Sequence, residues 1–331
     1  MNPAAQPGCV LLTGAAGFIG AQVAAALLEA GHAVLAVDDL NDAYEVRLKR
    51  WRLARLEGRP GFHFVQADIR DRPALEQAWG DRAVQAVVNL AARAGVRASV
   101  REPRLFVETN VLGTLNLLEL CRARGVPKFV LASTSSLYGA HNPRPFREDA
   151  DLSRPLSVYA ASKGAAELLC HSYHNLHALD VTVLRYFNVY GPAGRPDSAV
   201  FRFVQWLAEG RRVRIYGDGA QQRDFTYVDD IARGTVAALR PLGYEIVNLG
   251  SDRPVALLEM LRRLEGLLGR PAAVEHHPAA PADVHATWAD IHKAGELLGW
   301  EPQVPLEQGL QASVDWYRAE RDWAHTIDTS D

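Results

Sequence analysis

The chain has 331 residues, a formal net charge of −3, 48% hydrophobic residues and three cysteines without metal-binding spacing. This length accommodates a large core and two subdomains, whereas the slightly acidic charge argues against a nucleic-acid partner. No apolar run approaches the ~20 residues needed to cross a bilayer, and residues 1–8 lack the basic-then-apolar pattern of a secretion signal, so we expect a cytoplasmic protein with no membrane partner.

The first predicted elements are a strand, a glycine-rich turn and a helix. Residues 9–12 form a short apolar run typical of a buried strand, and residues 21–30 predict a helix that ends near Gly31. Between them the sequence reads TGAAGFIG, with its glycines spaced G-x-x-G-x-x-G. Glycines allow the backbone to approach a pyrophosphate, and the helix N-terminus offers free N–H groups and a partial positive charge. This order of elements predicts a dinucleotide-binding site. Its predicted contacts include Gly14, Gly17, Phe18 and Ile19.

The second predicted strand, residues 33–37, leads into Asp38, which lies eighteen residues beyond Gly20. An acid at this position hydrogen-bonds the hydroxyls of the adenosine ribose and repels a 2′-phosphate. Asp38 therefore favours NAD over NADP as the cofactor. The competing interpretation is an aspartate that only begins a turn.

The rest of the chain alternates between apolar runs and helical stretches, which predicts a doubly wound α/β fold with a parallel sheet. Further strands are predicted at 62–67, 86–90, 129–132, 181–186 and 246–249, and helices at 73–79, 105–124 and 159–179. After about residue 186, glycine and proline cluster and the pattern loosens. We expect a Rossmann-type NAD-binding domain at 1–186, with a returning segment near 224–250, and a smaller α/β substrate subdomain at 187–331.

Ligands of such sheets bind beyond the carboxyl ends of the strands. Residues at or just after the predicted ends are Asp68, Ile69, Leu90, Ala91, Ala92, Ser133, Thr134 and Asn188. We therefore expect these residues to border one ligand cleft.

Tyr159 and Lys163 lie four residues apart on a predicted helix, so their side chains share a face. Tyrosine has an unperturbed pKa near ~10 and is a poor base at neutral pH. A lysine ammonium and a positively charged nicotinamide ring both stabilise the phenolate and lower this pKa. Behind a dinucleotide site, the pair predicts a general base that removes a hydroxyl proton while the cofactor takes the hydride. The alternative is a tyrosine that packs on a lysine stem.

A run of hydroxyl residues at 133–136 follows the predicted strand at 129–132. One of these hydroxyls is expected to hold the substrate alcohol beside the base. A hydroxyl cluster at a strand end also caps helices and turns, which is the competing interpretation.

Together these motifs resemble the extended short-chain dehydrogenase/reductase family, in its nucleotide-sugar epimerase branch. The resemblance covers residues 10–317 and also rests on NLAA at 89–92, RYFNVYGP at 185–192 and RDFTYVDD at 223–230. It implies that Thr134 is catalytic, that Tyr159 is the base and that Lys163 holds the ribose. Further cofactor contacts implied are Asn41, Asp68, Ile69, Leu90, Ala91, Ala92, Asn110, Ser133 and Tyr186, and implied substrate contacts are Arg97, Asn188, Tyr216, Arg223 and Asp283.

Among the reactions of the family, the resemblance favours 4-epimerisation of a UDP-sugar. The family's dehydratases and decarboxylases place an acid directly after the threonine, where this chain has Ser135, and its ketoreductases use NADPH, which Asp38 disfavours. In the implied reaction, Tyr159 takes the C4 hydroxyl proton while NAD takes the C4 hydride. The 4-keto sugar then turns over, and the hydride returns to its opposite face. A non-catalytic NAD sensor is a remote alternative, because such proteins usually lose the tyrosine or the lysine.

Three segments resemble matching stretches of UDP-glucuronate 4-epimerases, at 38–49, 94–99 and 194–199. A substrate carboxylate needs a cation or several hydrogen-bond donors. Arg195 is the candidate cation, with Ser135 and Ser136 as candidate donors; the competing interpretation of Arg195 is a solvated loop arginine.

Three positions depart from the glucuronate pattern, namely Arg93, Asn188 and Ser198. Asn188 is the residue of UDP-galactose-type epimerases, so UDP-glucose, UDP-galactose or an N-acetylated sugar are alternative substrates.

Two further expectations concern metals and assembly. The histidines at 171, 174 and 177 lack the i, i+4 zinc spacing, so no metal is predicted. The predicted helices at 105–124 and 159–179 are apolar on more than one side, and the resemblance implies that they pair across a homodimer. Burial within the monomer is the alternative account.

Overall fold

A computed structural model describes residues 7–279 and 284–330. Its strands are β1 (Cys9–Thr13), β2 (Ala33–Asp38), β3 (Phe62–Gln66), β4 (Val84–Asn89), β5 (Lys128–Thr134), β6 (Asp180–Tyr186), β7 (Asn188–Tyr190), β8 (Val213–Tyr216), β9 (Gln222–Tyr227), β10 (Tyr244–Leu249), β11 (Pro254–Ala256) and β12 (Val274–His277). Its α-helices are α1 (Phe18–Glu29), α2 (Val46–Ala54), α3 (Arg72–Trp79), α4 (Val96–Arg101), α5 (Pro103–Val107), α6 (Gly113–Arg124), α7 (Val158–His177), α8 (Ala199–Ala208), α9 (Val228–Ala237), α10 (Leu257–Leu268), α11 (His292–Leu298), α12 (Leu306–Ala319) and α13 (Arg321–Ala324).

The central element is a seven-stranded parallel sheet with the order β10-β6-β5-β4-β1-β2-β3. The order reverses direction at β1, because β2 and β3 extend to one side of it and β4 to the other. Such a reversal opens a crevice outside the carboxyl ends of the strands. The predicted doubly wound α/β fold is therefore confirmed.

Both faces of the sheet are buried by helices. Successive strand residues point to opposite faces, so Leu12 packs with Leu27 of α1 and Ile231 of α9 on one side. Leu11 packs with Leu117 of α6 on the other side, in a core that α3 and α7 complete. Strands that are apolar toward both faces appear in a sequence as unbroken hydrophobic runs, which is why the runs predicted these strands.

The C-terminal elements build a second core beside the sheet. Strands β11, β9 and β7 form a small mixed sheet and β12 pairs with β8, while α8, α10 and α12 pack together through Phe203, Met260 and Val314. The chain also returns to the main sheet, where β10 pairs with β6. The predicted division at residue 186 stays a prediction.

The observed helices differ from the predictions in several places: α4 and the helices from α8 onward were not predicted, and two further differences lie near the cavity. The helix predicted at 105–124 is interrupted by a π-helical turn at Glu108–Leu112, between α5 and α6. The patterns also gave no hint of α2, which begins after Glu45, where the Glu45 carboxylate accepts the N–H of Arg47 at 3.0 Å. This helix buries Lys49 and Arg52 as well as two leucines.

Within residues 7–279 and 284–330, no helix has both the length and the apolar character needed to span a membrane. The same residues contain no cluster of three or more histidine, cysteine or acidic side chains placed to hold a metal ion.

Candidate active site

A cavity of about 920 Å³ lies outside the carboxyl ends of the parallel strands and extends to the C-terminal elements. Predicted residues on its wall are Gly14, Gly17, Phe18, Ile19, Asp38, Asn41, Asp68, Ile69, Leu90, Ala91, Ala92, Arg97, Ser133, Tyr159, Lys163, Tyr186, Asn188, Arg195, Tyr216 and Arg223. The predicted residues that do not line the wall are Asn110, Thr134, Ser135 and Ser136. Asp283 lies outside the described residues. One cavity thus joins the predicted cofactor and substrate positions.

The glycine loop between β1 and α1 forms a cradle in which added side chains would collide. Gly14 has a φ of +68°, and a Cβ there would lie 2.7 Å from the nitrogen of Ala91. A Cβ on Gly20 would lie 2.0 Å from the oxygen of Gly14. No side chain caps the first N–H groups of α1, which begins at Phe18 on the cavity wall. The loop therefore fits a dinucleotide pyrophosphate, whose charge the free N–H groups and the helix dipole favour.

Asp38, at the end of β2, is almost fully buried on the cavity wall. Its carboxylate accepts the N–H of Ala16 at 3.1 Å and that of Leu40 at 2.9 Å. The buried Lys49 of α2 places its Nζ 3.7 Å from the same carboxylate. Burial raises the pKa of Asp38, and the charge of Lys49 opposes this rise. The position suits recognition of ribose hydroxyls, and sequence reasoning missed Lys49 because it missed α2.

At the far end of the cofactor region, Asp68 accepts hydrogen bonds from Arg70 Nε at 2.9 Å and Nη2 at 2.6 Å. Asn110 lies behind the wall, where its amide donates to the Arg93 carbonyl at 3.0 Å and to Ser162 Oγ at 2.9 Å. Its side-chain oxygen accepts the N–H of Arg93 at 2.8 Å. Asn110 therefore fixes the loop that follows β4, and its predicted contact with the cofactor stays a prediction.

Tyr159 projects from the first turn of α7 into the cavity, with its ring edge-on to Phe106 at a centroid distance of 6.1 Å. Burial raises the pKa of Tyr159, and a hydrogen bond with Thr134 and the charge of Arg195 offset only part of this effect. The protein alone therefore does not favour the phenolate. A further positive charge, such as that of an oxidised nicotinamide ring, is needed for Tyr159 to act as a base near neutral pH.

Lys163 lies one turn further along α7, on the same face, and is buried. Burial lowers the pKa of Lys163 to about 8, and the nearby Glu167 opposes this effect. Glu167 is itself buried and pairs with Arg185 at 2.8 Å. The lysine therefore stands in a dry environment next to a structural ion pair, where it can donate hydrogen bonds to a ligand hydroxyl.

The hydroxyl residues after β5 have both structural and chemical roles. Thr134 Oγ1 accepts the N–H of Ser136 at 3.2 Å and so caps the 3-10 turn Ser135–Tyr138. Thr134 also interacts with Tyr159, whereas the hydroxyl of Ser133 donates to Glu167. The capping interpretation is thus correct for Thr134 without excluding its predicted role beside the base.

Arg195 stands on the cavity wall in the loop after β7. Its Nε and Nη2 lie 3.0 and 2.6 Å from the carboxylate oxygens of Asp197, and Nη2 also donates to the Ala94 carbonyl at 3.2 Å. Its charge reaches Tyr159, whose pKa it lowers. Arg195 is therefore a cation close to the predicted base that is already paired with Asp197, and its role toward a substrate carboxylate stays a prediction.

The remaining predicted substrate residues lie on the C-terminal side of the cavity. The guanidinium of Arg97 stacks 4.0 Å from the centre of the Tyr216 ring, and Asn188 Oδ1 accepts the hydroxyl hydrogen of Thr287 at 3.0 Å. Two further cations on the wall, Arg202 of α8 and Arg214 of β8, were not predicted because no motif marks them. This side presents positive charge that suits a nucleoside diphosphate.

Comparison with known proteins agrees with this geometry. The chain is 53% identical over 310 residues to the UDP-glucuronate 4-epimerase of Thermodesulfobacterium geofontis, which covers 93% of this chain and 96% of that protein. The structure of Bacillus cereus UDP-glucuronic acid 4-epimerase in complex with UDP-glucuronic acid and NAD matches with a TM-score of 0.88 and 38% identity, over 94% of this chain and 99% of that one. Thermotoga maritima UDP-glucose 4-epimerase with UDP-glucose matches with a TM-score of 0.87 and 34% identity, over 95% and 99%.

The family match covers the part of the chain that contains most of the predicted cofactor and catalytic residues. Residues 10–250 match the NAD dependent epimerase/dehydratase family, a range that includes the glycine loop, Tyr159, Lys163 and Arg195. The predicted resemblance and the predicted NAD cofactor are therefore confirmed. The chain is an enzyme of the NAD dependent epimerase/dehydratase family.

Proposed function

We propose that this enzyme interconverts UDP-glucuronate and UDP-galacturonate by epimerisation at C4. The single observation that supports the acidic sugar is Arg195, a cation on the cavity wall whose charge acts on Tyr159. The UDP-glucuronate 4-epimerase that is 53% identical over nearly the whole chain supports the same substrate.

In this proposal, residues 14–19 would hold the pyrophosphate of NAD, and Asp38 would accept hydrogen bonds from the hydroxyls of the adenosine ribose. Lys163 would contact the other ribose of NAD. When bound, NAD accepts the C4 hydride and later returns it, and its oxidised ring supplies positive charge beside Tyr159. Tyr159 removes the C4 hydroxyl proton and later restores it, while Thr134 hydrogen-bonds the same oxygen. Between these two proton transfers the 4-keto sugar would rotate in the cavity and present its other face.

A carboxylate at C5 creates a chemical hazard, because a 4-keto glucuronate is a β-keto acid that can lose CO₂. Arg195 would hold this carboxylate, with Ser135 and Ser136 as further predicted donors, so that the C–C bond stays out of line with the ketone π system. We therefore expect wild-type turnover to release neither CO₂ nor a 4-keto pentose.

The second candidate function is 4-epimerisation of UDP-glucose, UDP-galactose or an N-acetylated sugar. Asn188 and the match to Thermotoga maritima UDP-glucose 4-epimerase favour it. The nucleotide end of the site is the same in both proposals, with Arg97, Tyr216, Arg223 and the predicted Asp283 toward the UDP moiety. A non-catalytic NAD sensor is the remote alternative, and the proximity of Thr134 to Tyr159 argues against it.

The test is to incubate the purified enzyme with UDP-glucuronate, without added cofactor, and to follow the C4 epimer by NMR. UDP-galacturonate is the expected product. Turnover of UDP-glucose alone would retain the mechanism but remove the proposed carboxylate role of Arg195. No turnover of either substrate after addition of NAD would contradict the epimerase proposal. Arg195→Ala should reduce kcat/KM for UDP-glucuronate by about 10- to 100-fold, and that for UDP-glucose by much less.

We also propose a cytoplasmic homodimer with domains at 1–186 and 187–331, the segment near 224–250 returning to the first. The α7 face that the monomer leaves open supports the dimer, since Leu168 and Leu176 are 72% and 70% exposed. Leu112, at the end of the π-helical turn, is 49% exposed. Apolar side chains of this size on neighbouring helices favour a protein interface.

A further inference from the structure

Arg52 of α2 is a buried cation whose partners in the described residues are all neutral. Only 3% of the residue is exposed. Its five N–H donors meet carbonyl oxygens and one phenol, so the guanidinium is fully hydrogen-bonded without any ion pair. Burying a charge without a counter-charge costs free energy, which the hydrogen bonds of the guanidinium offset only in part.

The acceptors of Arg52 belong to three separate segments that meet at the cavity. Nε and Nη2 donate to the carbonyl of Ala193 at 3.1 and 2.6 Å, and Nη2 also reaches that of Gly194 at 3.3 Å. Nη1 donates to the carbonyl of Ala16 in the glycine loop at 3.2 Å and to the hydroxyl of Tyr44 at 2.8 Å. One side chain therefore joins the cofactor loop to the loop that leads into Arg195.

The backbone that Arg52 holds is in an unfavourable conformation. Ala193 has a φ of +51°, in the left-handed region where an L-residue with a Cβ is strained. The paired hydrogen bonds from Arg52 to the Ala193 carbonyl offset this strain. Arg195 lies two residues further along the chain, so this turn leads directly into the backbone that carries it. The Arg195 guanidinium is also held by Asp197 and by the Ala94 carbonyl.

We propose that Arg52 is a positioning residue that sets the place of Arg195 and thereby the preference of the site for an acidic sugar. This inference rests on the proposed function, because Arg195 is the proposed partner of the substrate carboxylate. Arg52 itself is not among the residues that line the cavity. A lysine in its place keeps the charge but loses the planar fork that reaches several carbonyls at once.

The experiment uses NAD-loaded enzyme with Tyr159→Phe, which prevents turnover, and measures Kd for UDP-glucuronate, UDP-glucose and UDP by calorimetry. Adding Arg52→Lys should raise the Kd for UDP-glucuronate by about tenfold and change the Kd for UDP-glucose and for UDP by less than about twofold. The matched control is Arg55→Lys at the C-cap of the same helix, where the side chain is exposed and stacks on Trp51. This change should alter none of the three dissociation constants.

A second variant keeps the proposal testable if the Arg52→Lys protein does not fold. Tyr44→Phe removes one acceptor of Arg52 and retains the ring, so it should cause a smaller loss of about threefold, again selective for UDP-glucuronate. With Arg195→Ala already present, Arg52→Lys should have no further selective effect, since the two residues act in series.

Two outcomes would overturn the inference. One is an equal weakening of UDP-glucuronate and UDP, which indicates a general structural role for Arg52. The other is an unchanged preference in Arg52→Lys. If the enzyme with Arg52 intact binds UDP-glucuronate no better than UDP-glucose, the proposed substrate itself is wrong, and this result appears before any Arg52 variant is made.

Discussion

Replacing Lys49 with methionine should weaken NAD binding in a pH-dependent manner. The change keeps the length of the buried stem and removes the charge that lies 3.7 Å from the Asp38 carboxylate. At this distance and an effective dielectric constant of about 20, unlike unit charges attract by about 4.5 kcal/mol. Burial raises the pKa of Asp38, and the charge of Lys49 is the main influence that lowers it. Without Lys49, the pKa of Asp38 should rise further above its ordinary value.

The consequence for the cofactor follows from the protonation state of Asp38. A carboxylate accepts a charge-assisted hydrogen bond from a ribose hydroxyl, and its loss costs about 1.5–3 kcal/mol, or about 10- to 150-fold in Kd. Below the raised pKa Asp38 is protonated, and the affinity for NAD that its carboxylate supplies is lost. This affinity is recovered as the pH rises through the raised pKa. Lys49→Met should shift that transition to higher pH.

The assay is a titration of NAD-free protein with NAD at a series of pH values that extends upward from the lowest pH at which each variant stays folded. Arg50→Met is the matched control, since Arg50 is exposed on the same helix. Thermal unfolding of each variant separates loss of affinity from loss of fold. Identical NAD affinities for wild type and Lys49→Met at every pH would refute the proposed influence of Lys49 on Asp38.

Three further predictions address catalysis, stability and assembly. Tyr159→Phe should lower kcat by about 10²- to 10⁴-fold while retaining NAD by absorbance, and substantial residual turnover would exclude Tyr159 as the base. Glu167→Gln leaves the buried Arg185 charge without its partner and should cost about 3–5 kcal/mol in urea unfolding; a loss below about 1 kcal/mol would contradict this. Leu168→Glu should give a monomer by light scattering, whereas a dimer of unchanged mass would exclude this face as the interface.

Much of the fold could be predicted because parallel strands leave a simple trace in the sequence. Leu11 and Leu12 face opposite cores, so β1 is apolar from Cys9 to Leu12. A glycine turn follows where the backbone must pass close to Ala91. The carboxyl ends of such strands lie on one edge. Residues placed there by local pattern, such as Asp38 and Asn188, therefore reach the cavity in the structure.

Contacts that depend on the packing of distant segments could not be predicted in this way. The stacking of Arg97 on Tyr216 joins α4 to β8, and nothing near either residue indicates the other. The π-helical turn that includes Asn110 is also set by tertiary contacts, because its side chain is bonded to Arg93 and Ser162. Helical periodicity alone predicts a continuous α-helix through this region.

Helix α2 is one of the helices that were not predicted. Because the helix was missed, the residues that it places next to the site were missed as well. A surface helix is recognised by an apolar face that turns inward, but α2 turns Lys49 and Arg52 inward, three residues apart on one face. Lysine and arginine are seldom fully buried, because burial of a charge costs free energy unless the charge is paired or hydrogen-bonded. Here one cation faces the acid at the predicted ribose position and the other holds the loops on either side of the cavity. The buried cations that obscure the apolar pattern of this helix therefore also link it to the predicted cofactor and substrate regions. Local sequence rules are expected to fail most often at functional sites.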